Sequence, residues 1–466
     1  MNDLVATDPD SPRKKRRRTV RSRALLPVST GQRHHERSED HILALPPADE
    51  PAMPRHWRVG VFGVLDIGST KMTCLIGRGE ADGTLRVLGY GWRRSRGIRN
   101  GNIVDLKEAE QAIRATVGQA EDAADRRLDN IAVNLSCGHP ESRLFNARMP
   151  IGGHGVSESD MARVVAEGQA RAFTEGRTVI HTLPIGYAVD DTYGIVDPRG
   201  QVCEQLTARL HVVDAATTAV RTLDSVLMRS ELKMTGLVSA SLASGLSVLD
   251  ADERELGATV IDMGGGTTSI AVFGDGMLRH TAFLPVGGLH VTRDLAGMLS
   301  TSLDEAERLK TKYGAAELSA EDSSELITLQ KIGEAPGTLT TVSRARLVSA
   351  IRPRIEETLE LVRDRLDDAG FSRTGRERVV LTGGASLLDG VGPMAARILD
   401  RPVRLGRPLG IVGLPEIGAN SAGFSTASGL LAWVAGADRS FHDADTPEQR
   451  PGGMLKRLVH FIRGRT

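Results

Sequence analysis

Aromatic residues are scarce, 3% of a 466-residue chain, so any core must be built from aliphatic side chains. Cysteine is nearly absent as well. Cys74, Cys137 and Cys203 lie far apart, with no Cys-x-x-Cys pair and no histidine at ligand spacing beside them. That pattern excludes a disulfide framework or a zinc module and reads as reduced thiols in a cytosolic protein. Net charge is missing too: 59 basic side chains balance 59 acidic ones, so no global attraction to nucleic acid is expected. No run approaches the roughly 18 apolar residues of a spanning helix. The basic N-terminal stretch leads only into the short apolar run 24–28, too little for a signal peptide, so the chain is expected neither to be exported nor to cross a bilayer.

What the chain does contain is a soluble composition, 40% hydrophobic and 25% charged, over a length that exceeds one ordinary core. Residues 1–56 are rich in Pro, Asp, Arg and Ser without apolar period and are expected to be disordered. Within them, residues 11–23 carry eight Lys or Arg and no acid, which reads as a solvated tail and not as a specific nucleic-acid site. From residue 58 onward apolar runs of strand type, at 59–65, 72–76, 131–135 and 378–381, interleave with helical spacing at 106–124, 158–173, 302–313 and 344–369. The fold class expected is α/β. A polar stretch, 436–453, reads as a linker to the last dozen or so residues.

One unit occurs twice. Val64-Leu65-Asp66-Ile67-Gly68-Ser69-Thr70-Lys71 and Val260-Ile261-Asp262-Met263-Gly264-Gly265-Gly266-Thr267 each end an apolar strand in Asp-x-Gly and lead at once into a second strand. Glycines let such a turn bring its N–H groups onto phosphate oxygens, and the Asp offers a ligand for hydrated Mg²⁺. A single copy is an ordinary turn. Two copies point to two related lobes gripping one polyphosphate. A third glycine turn, Gly383-Gly384-Ala385, sits between a buried strand and a helix, where backbone can lie against a nucleoside. Glu307 and Lys310, at i and i+3, share a helical face that can reach ribose and base, although a plain surface ion pair reads equally from the spacing.

The order of these motifs resembles the actin, Hsp70 and sugar-kinase ATPase superfamily over residues 59 to about 435. Phrases at 95–105, 134–139, 181–190 and 242–249 resemble one branch of it, the FtsA family of bacterial cell-division proteins. The resemblance implies a two-lobed actin-like fold binding ATP and Mg²⁺. Asp66, Gly68, Ser69, Thr70 and Lys71 take the first phosphate role; Asp262, Gly264, Gly265, Gly266 and Thr267 the second; Gly383, Gly384 and Ala385 the adenosine role. Asp66 and Asp262 would position Mg²⁺ through water. It further implies subdomain 1A at 57–84 and 171–256, a family-specific insert called 1C at 85–170, subdomain 2A at 257–290 and 378–435, and subdomain 2B at 291–377.

The resemblance implies that 2B receives the C-terminal peptide of FtsZ, and Lys310, Lys312, Arg344, Arg346, Arg352 and Arg354 would suit an acidic peptide. Self-association into polymers, later divisome membrane proteins and a place at the septal face of the inner membrane follow in the same way. Hydrolysis is expected to be slow, because residues 237–244, where relatives orient water, offer Ser239 and Ser241 but no acid or amide. At the end of the chain Met454, Leu455, Leu458, Val459 and Ile462 form one apolar stripe, with Phe461 at its margin and Lys456, Arg457, His460, Arg463 and Arg465 around it. Such a helix is too short to span but suited to lie among anionic head groups. Sugar kinases have no use for that tail, too little chain follows residue 431 for a chaperone's substrate-binding domain, and the pilus actin PilM and shape actin MreB imply no such helix.

Overall fold

The apolar run that starts the first motif folds, in a computed structural model describing residues 57–318, 324–335, 337–371, 377–415 and 422–436, as strand Gly60–Ile67. It turns back into Lys71–Gly79, which pairs in turn with Leu85–Arg94, making an antiparallel meander. Asn130–Leu135 and Lys233–Ser239 extend the sheet in parallel beyond Gly60–Ile67, and a short strand, Ile411–Val412, closes the other edge. The second motif does the same. Ala258–Met263, Thr268–Gly274 and Met277–Leu284 form a meander, and Arg378–Thr382 and Val403–Leu405 add in parallel beyond Ala258–Met263. The repeat legible in two short phrases is therefore a repeat of whole sheets. Asp66 stands opposite Thr73 in one hairpin as Asp262 stands opposite Ser269 in the other.

Parallel additions need crossovers, and helices supply them. Leu106–Ala124 links the first meander to Asn130–Leu135; it lies so close on the sheet that a Cβ at Gly91 would stand 2.1 Å from the Thr116 carbonyl. A separate four-stranded sheet interrupts the next crossover, in the order Glu141–Gly155, Val202–Ala216, Arg177–Val189, Thr192–Ile195. Helix Glu158–Arg171 packs on it around Val164, Val165, Leu206 and Leu210.

Residues 85–170, expected as one insert, are shared between two sheets in this structure. Leu85 and Val87 belong to the central core with Val64 and Leu75, and Asn130–Leu135 is a strand of the first sheet, whereas 177–216 belongs to the interrupting sheet. The smaller second-lobe unit also begins earlier than 291, with helix Gly288–Leu299. Its own cluster joins Leu295, Leu299, Leu309, Ile327 and Leu347, but the far half of helix Arg344–Asp368 buries Ile355, Leu359 and Val362 against the second sheet. The expected disordered segment, the linker beyond residue 436, and the tail with Met454, Leu455, Lys456, Arg457, Leu458, Val459, Phe461, Ile462 and Arg463 lie outside the described residues. Among the described residues no helix is long and apolar enough to cross a membrane.

Between the two sheets lie two helices, Ala240–Val248 and Ser425–Ala435, which share one core with Val64, Leu75, Val260 and Phe273. Small residues make this layer possible: a Cβ at Gly429 would stand 1.7 Å from the Ala243 carbonyl oxygen. The clash is with backbone, which cannot swing away. Gly429→Val should destabilise the protein by about 3 kcal/mol or more in chemical denaturation. Gly297→Ala, at a helical glycine with nothing within 4 Å of the added methyl, should be neutral or stabilising by about 0.5–1 kcal/mol.

Candidate functional site

Each meander ends its first strand in a turn tightened by its own backbone. Gly68 N–H donates to the Lys71 carbonyl at 3.1 Å, and a Cβ at Gly68 would stand 2.6 Å from that oxygen. Ile67 N–H donates to the buried Asn134 Oδ1 at 2.7 Å, and Ser95 holds the turn from outside, its Oγ on the Gly68 carbonyl at 2.6 Å. In the second turn Gly264 N–H donates to the Thr267 carbonyl at 2.9 Å. The carbonyls of Gly264 and Gly265 accept from Gly288 and Leu289 N–H at 3.0 and 2.6 Å, so the start of helix Gly288–Leu299 is fixed to this turn.

The two turns meet face to face. A Cβ at Gly265 would lie 1.6 Å from Thr70 Oγ1, and one at Gly266 would lie 2.5 Å from Ser69 Oγ. No side chain larger than hydrogen fits there. The third motif joins from the second lobe: Gly383, at φ +82°, lies so close that a Cβ would stand 2.3 Å from Asp262 Oδ1. Gly384 is exposed, and Ala385 lies beside Gly288. Lys310 Nζ donates to Glu307 Oε2 at 2.7 Å, to Thr292 Oγ1 at 2.9 Å and to the Gly288 carbonyl at 3.1 Å. Glu307 and Lys310 therefore stand at the start of helix Gly288–Leu299, beside the second turn, as a bonded pair within a network, not as a solvated surface pair.

Charge is concentrated where the turns meet. Asp66 and Asp262 keep some surface open, yet protein crowds both carboxylates out of bulk water. Burial pushes the Asp66 carboxyl up to about 7, against the pull of Lys71 and with a further push from Asp262. Burial also raises Asp262, while hydrogen bonds from Ser244 and Thr426 and the charge of Lys71 oppose it. Lys71 is lowered by burial and held up by both carboxylates. Its Nζ donates to the Gly423 carbonyl at 2.7 Å and sits 3.9 Å from the Phe424 ring centroid.

Two crowded carboxylates held above their usual range fit a divalent cation, whose charge would restore their ionised forms. Among the described residues no group of three or more His, Cys, Asp or Glu converges. Two carboxylates with phosphate and water oxygens is the donor set that Mg²⁺ takes with nucleotides. The glycine turns match phosphate. A cavity of about 320 Å³ lies elsewhere, between the interrupting sheet and the second meander, lined by residues such as Arg209, Leu256, Phe273, Arg279 and Phe371 and by none of the motif residues. Its size does not make it the site, since it gathers no phosphate-binding turn.

Several participants escaped the sequence reading. Ser244 and Thr426, which bond Asp262 and each other at 3.0 Å, come from the two helices of the middle layer, and Phe424 has no motif around it. Ser239 and Ser241, the hydroxyls of the segment where relatives orient water, are buried and bond one another at 2.8 Å.

Comparison with known families now has a geometry to meet. A family model described as cell division protein FtsA matches residues 259–429, and another, the SHS2 domain inserted in FtsA, matches 137–214, where the interrupting sheet lies. The cell division protein FtsA of Agrobacterium fabrum is 43% identical over 422 residues, covering 87% of this chain and 95% of its own length. That of Escherichia coli K12 is 32% identical over 410 residues, covering 86% and 96%. The chain belongs to the FtsA family. It is thereby an actin-like cell-division protein of the ATPase superfamily that its motifs resemble. Solved structures agree on the fold: the PilM-PilN type IV pilus biogenesis complex at TM-score 0.59, with 17% identity over 81% of this chain and 99% of that one, and ADP-bound MreB5 of Spiroplasma citri at 0.50, with 13% identity over 81% and 98%.

The raised Asp66 carboxyl has a measurable consequence for this FtsA-family chain. Its unfolded carboxyl ionises near 3.8 and its folded one near 7, so the unfolded state gains ionisation first and stability is lost as pH rises between the two values. Asp66→Asn removes that loss. Without nucleotide or Mg²⁺, the stability advantage of the variant over the parent should grow from about pH 4 to about pH 7 and then level off. Parallel pH curves in urea denaturation would show that Asp66 is not held protonated.

Proposed function

We propose that the chain binds ATP with Mg²⁺ between the two glycine turns and, through FtsZ and the inner membrane, serves as the anchor of the division ring. The observation that carries the nucleotide reading is the meeting of two topologically equivalent hairpins, each ending in Asp-x-Gly, with Lys71 close enough for both carboxylates to act on it. Backbone N–H groups of Ser69, Thr70 and Gly265 to Thr267 would hold phosphates, Gly68 and Gly264 shaping the turns with their own N–H groups on the Lys71 and Thr267 carbonyls, and Asp66 and Asp262 would hold the metal, through water. Gly383 to Ala385, with Glu307 and Lys310, would receive the nucleoside. Bound Mg²⁺ supplies charge neutralisation for the triphosphate. Hydrolysis is slow in this reading because Ser239 and Ser241 are spent on each other, so nucleotide acts mainly on conformation and polymerisation.

The interrupting sheet is, in this reading, the family's 1C insert, and the unit of Gly288–Leu299 through Arg344–Asp368 is 2B, the receiver of the FtsZ C-terminal peptide. The supposed basic face there is smaller than its composition: Lys310 pairs with Glu307, Arg344 with Glu325, Arg352 with Glu356 and Arg354 with Asp294. Lys312 and Arg346 are left as the cations of that set to meet an acidic peptide. Self-association, later divisome membrane proteins and anionic lipids complete the partners, at the cytoplasmic face of the septal membrane.

Calorimetry tests the site. Gly265→Arg, checked for folding by thermal melting, should weaken ATP binding about a hundredfold or more, and unchanged affinity would sink the assignment. Vesicle sedimentation tests the anchor. The apolar stripe of the tail contributes about 25 cal/mol per Å² buried, and each nearby Lys or Arg on the order of 1 kcal/mol at an anionic surface. Leu458→Glu should release the protein from anionic vesicles while leaving ATP binding intact. If it pellets as the parent does, the tail is not the anchor.

A further inference from the structure

Where the chain enters helix Ser425–Ala435, residues 423–426 touch all three glycine motifs. Lys71 Nζ, from the end of the first turn, donates to the Gly423 carbonyl at 2.7 Å and lies over the Phe424 ring, 3.9 Å from its centre. Thr426 Oγ1 donates to Asp262 Oδ2 at 3.0 Å, at the second turn. Ser425 Oγ stands 2.7 Å from Thr382 Oγ1, at the end of the strand that leads into Gly383. No glycine turn marks this segment in the sequence. Its placement comes from the core: Phe424 is 2% exposed, and Leu430 and Leu431 of the same helix belong to the central cluster.

The two partners that hold the Lys71 ammonium are both neutral. Among the described residues neither carboxylate stands at ion-pair distance from its Nζ, and Asp66 and Asp262 act on it through space. A helix start is the positive end of the peptide dipoles and disfavours a cation. What offsets that here is the oxygen of Gly423 and the negative face of the Phe424 ring, which attracts an ammonium more strongly the less water surrounds it. An ammonium carries three N–H donors and no acceptor. One goes to Gly423, and the others suit phosphate oxygens, which accept. A lysine bonded to Asp66 or Asp262 would instead compete with a metal ion for the carboxylate.

We infer that Phe424 is a positioning residue of the nucleotide site: its ring and the Gly423 carbonyl hold the Lys71 ammonium near Asp66 and Asp262, bonded to neither and ready to bond a phosphate. The inference rests on the nucleotide reading of the cleft. Phe424 itself touches no nucleotide in it and acts through Lys71.

Phe424→Leu removes core volume as well as the ring, so a second variant keeps the shape: a trifluorinated phenylalanine at position 424, whose fluorines drain the negative face of the ring while barely changing its size. Two measurements on the full chain separate an action on Lys71 from plain packing, with melting curves to confirm folding. One is the rate at which an amine-acylating reagent modifies Lys71 without nucleotide, read by mass spectrometry. The other is the affinity for ATP with Mg²⁺, read by calorimetry. Fluorination should speed acylation about fivefold, because an ammonium held less firmly gives up its proton more readily, and should weaken ATP binding about fivefold. Phe424→Leu should do both more strongly. Weaker ATP binding with unchanged acylation overturns the inference, since Phe424 would then only pack. Faster acylation with unchanged ATP affinity overturns it as well, since the ring would then hold a lysine that binding does not use. A parent that binds no ATP overturns the nucleotide reading and this role with it, whereas ATP binding that is indifferent to both variants overturns this role alone.

Discussion

Two crowded carboxylates on separate lobes act on one lysine. Asp66 and Asp262 stand at the ends of the first strands of their meanders, and Lys71 lies where both can act on it. Crowding by protein raises both acids and lowers the lysine, so the arrangement is costly to keep unless something of opposite charge completes it. The surrounding structure serves to bring these groups together. The turns are glycine because nothing larger lets them meet, and the helices beneath them are lined with Gly429, Ala243 and Gly245 because two sheets must approach one shared layer. Even Ser244 and Thr426, which steady Asp262, come from that layer. Site and core are one construction.

This explains why the phosphate elements could be read from residues while their supports could not. An Asp-x-Gly hairpin declares itself locally, through an apolar run, a turn and a second run, and its recurrence at Asp262 declares the second lobe. Helices 106–124 and 344–369 were legible for the same reason: their apolar period holds over four turns or more. Thr426 and Phe424 declare nothing, because their role depends on a helix being brought to the cleft from more than 160 residues beyond Asp262.

The extent of the insert is less legible for a different reason. The phrases at 95–105 and 134–139 fall within the expected insert, yet they lie beside the first sheet, the second beginning at the end of its strand Asn130–Leu135. The strand Leu85–Arg94 alternates buried and less buried residues along its first half, which is the mark of a strand on a half-covered sheet but does not say which sheet. Only the pairing of Lys71–Gly79 with Leu85–Arg94, and of Val202–Ala216 with Glu141–Gly155, decides that 141–216 is the interruption. The first pairing is a local hairpin, but the second joins strands distant in the chain and leaves no local trace.

The central claim is that the two turns hold one triphosphate between them. A crystal structure of the full chain grown with Mg²⁺ and a non-hydrolysable ATP analogue tests it most directly. The account predicts phosphates against the N–H groups of Ser69, Thr70 and Gly265 to Thr267, Mg²⁺ beside Asp66 and Asp262, and the base near Glu307, Lys310 and Gly383 to Ala385. Nucleotide seated elsewhere, for instance in the cavity lined by Arg209 and Arg279, with Gly265 still pressed against Thr70, would contradict it.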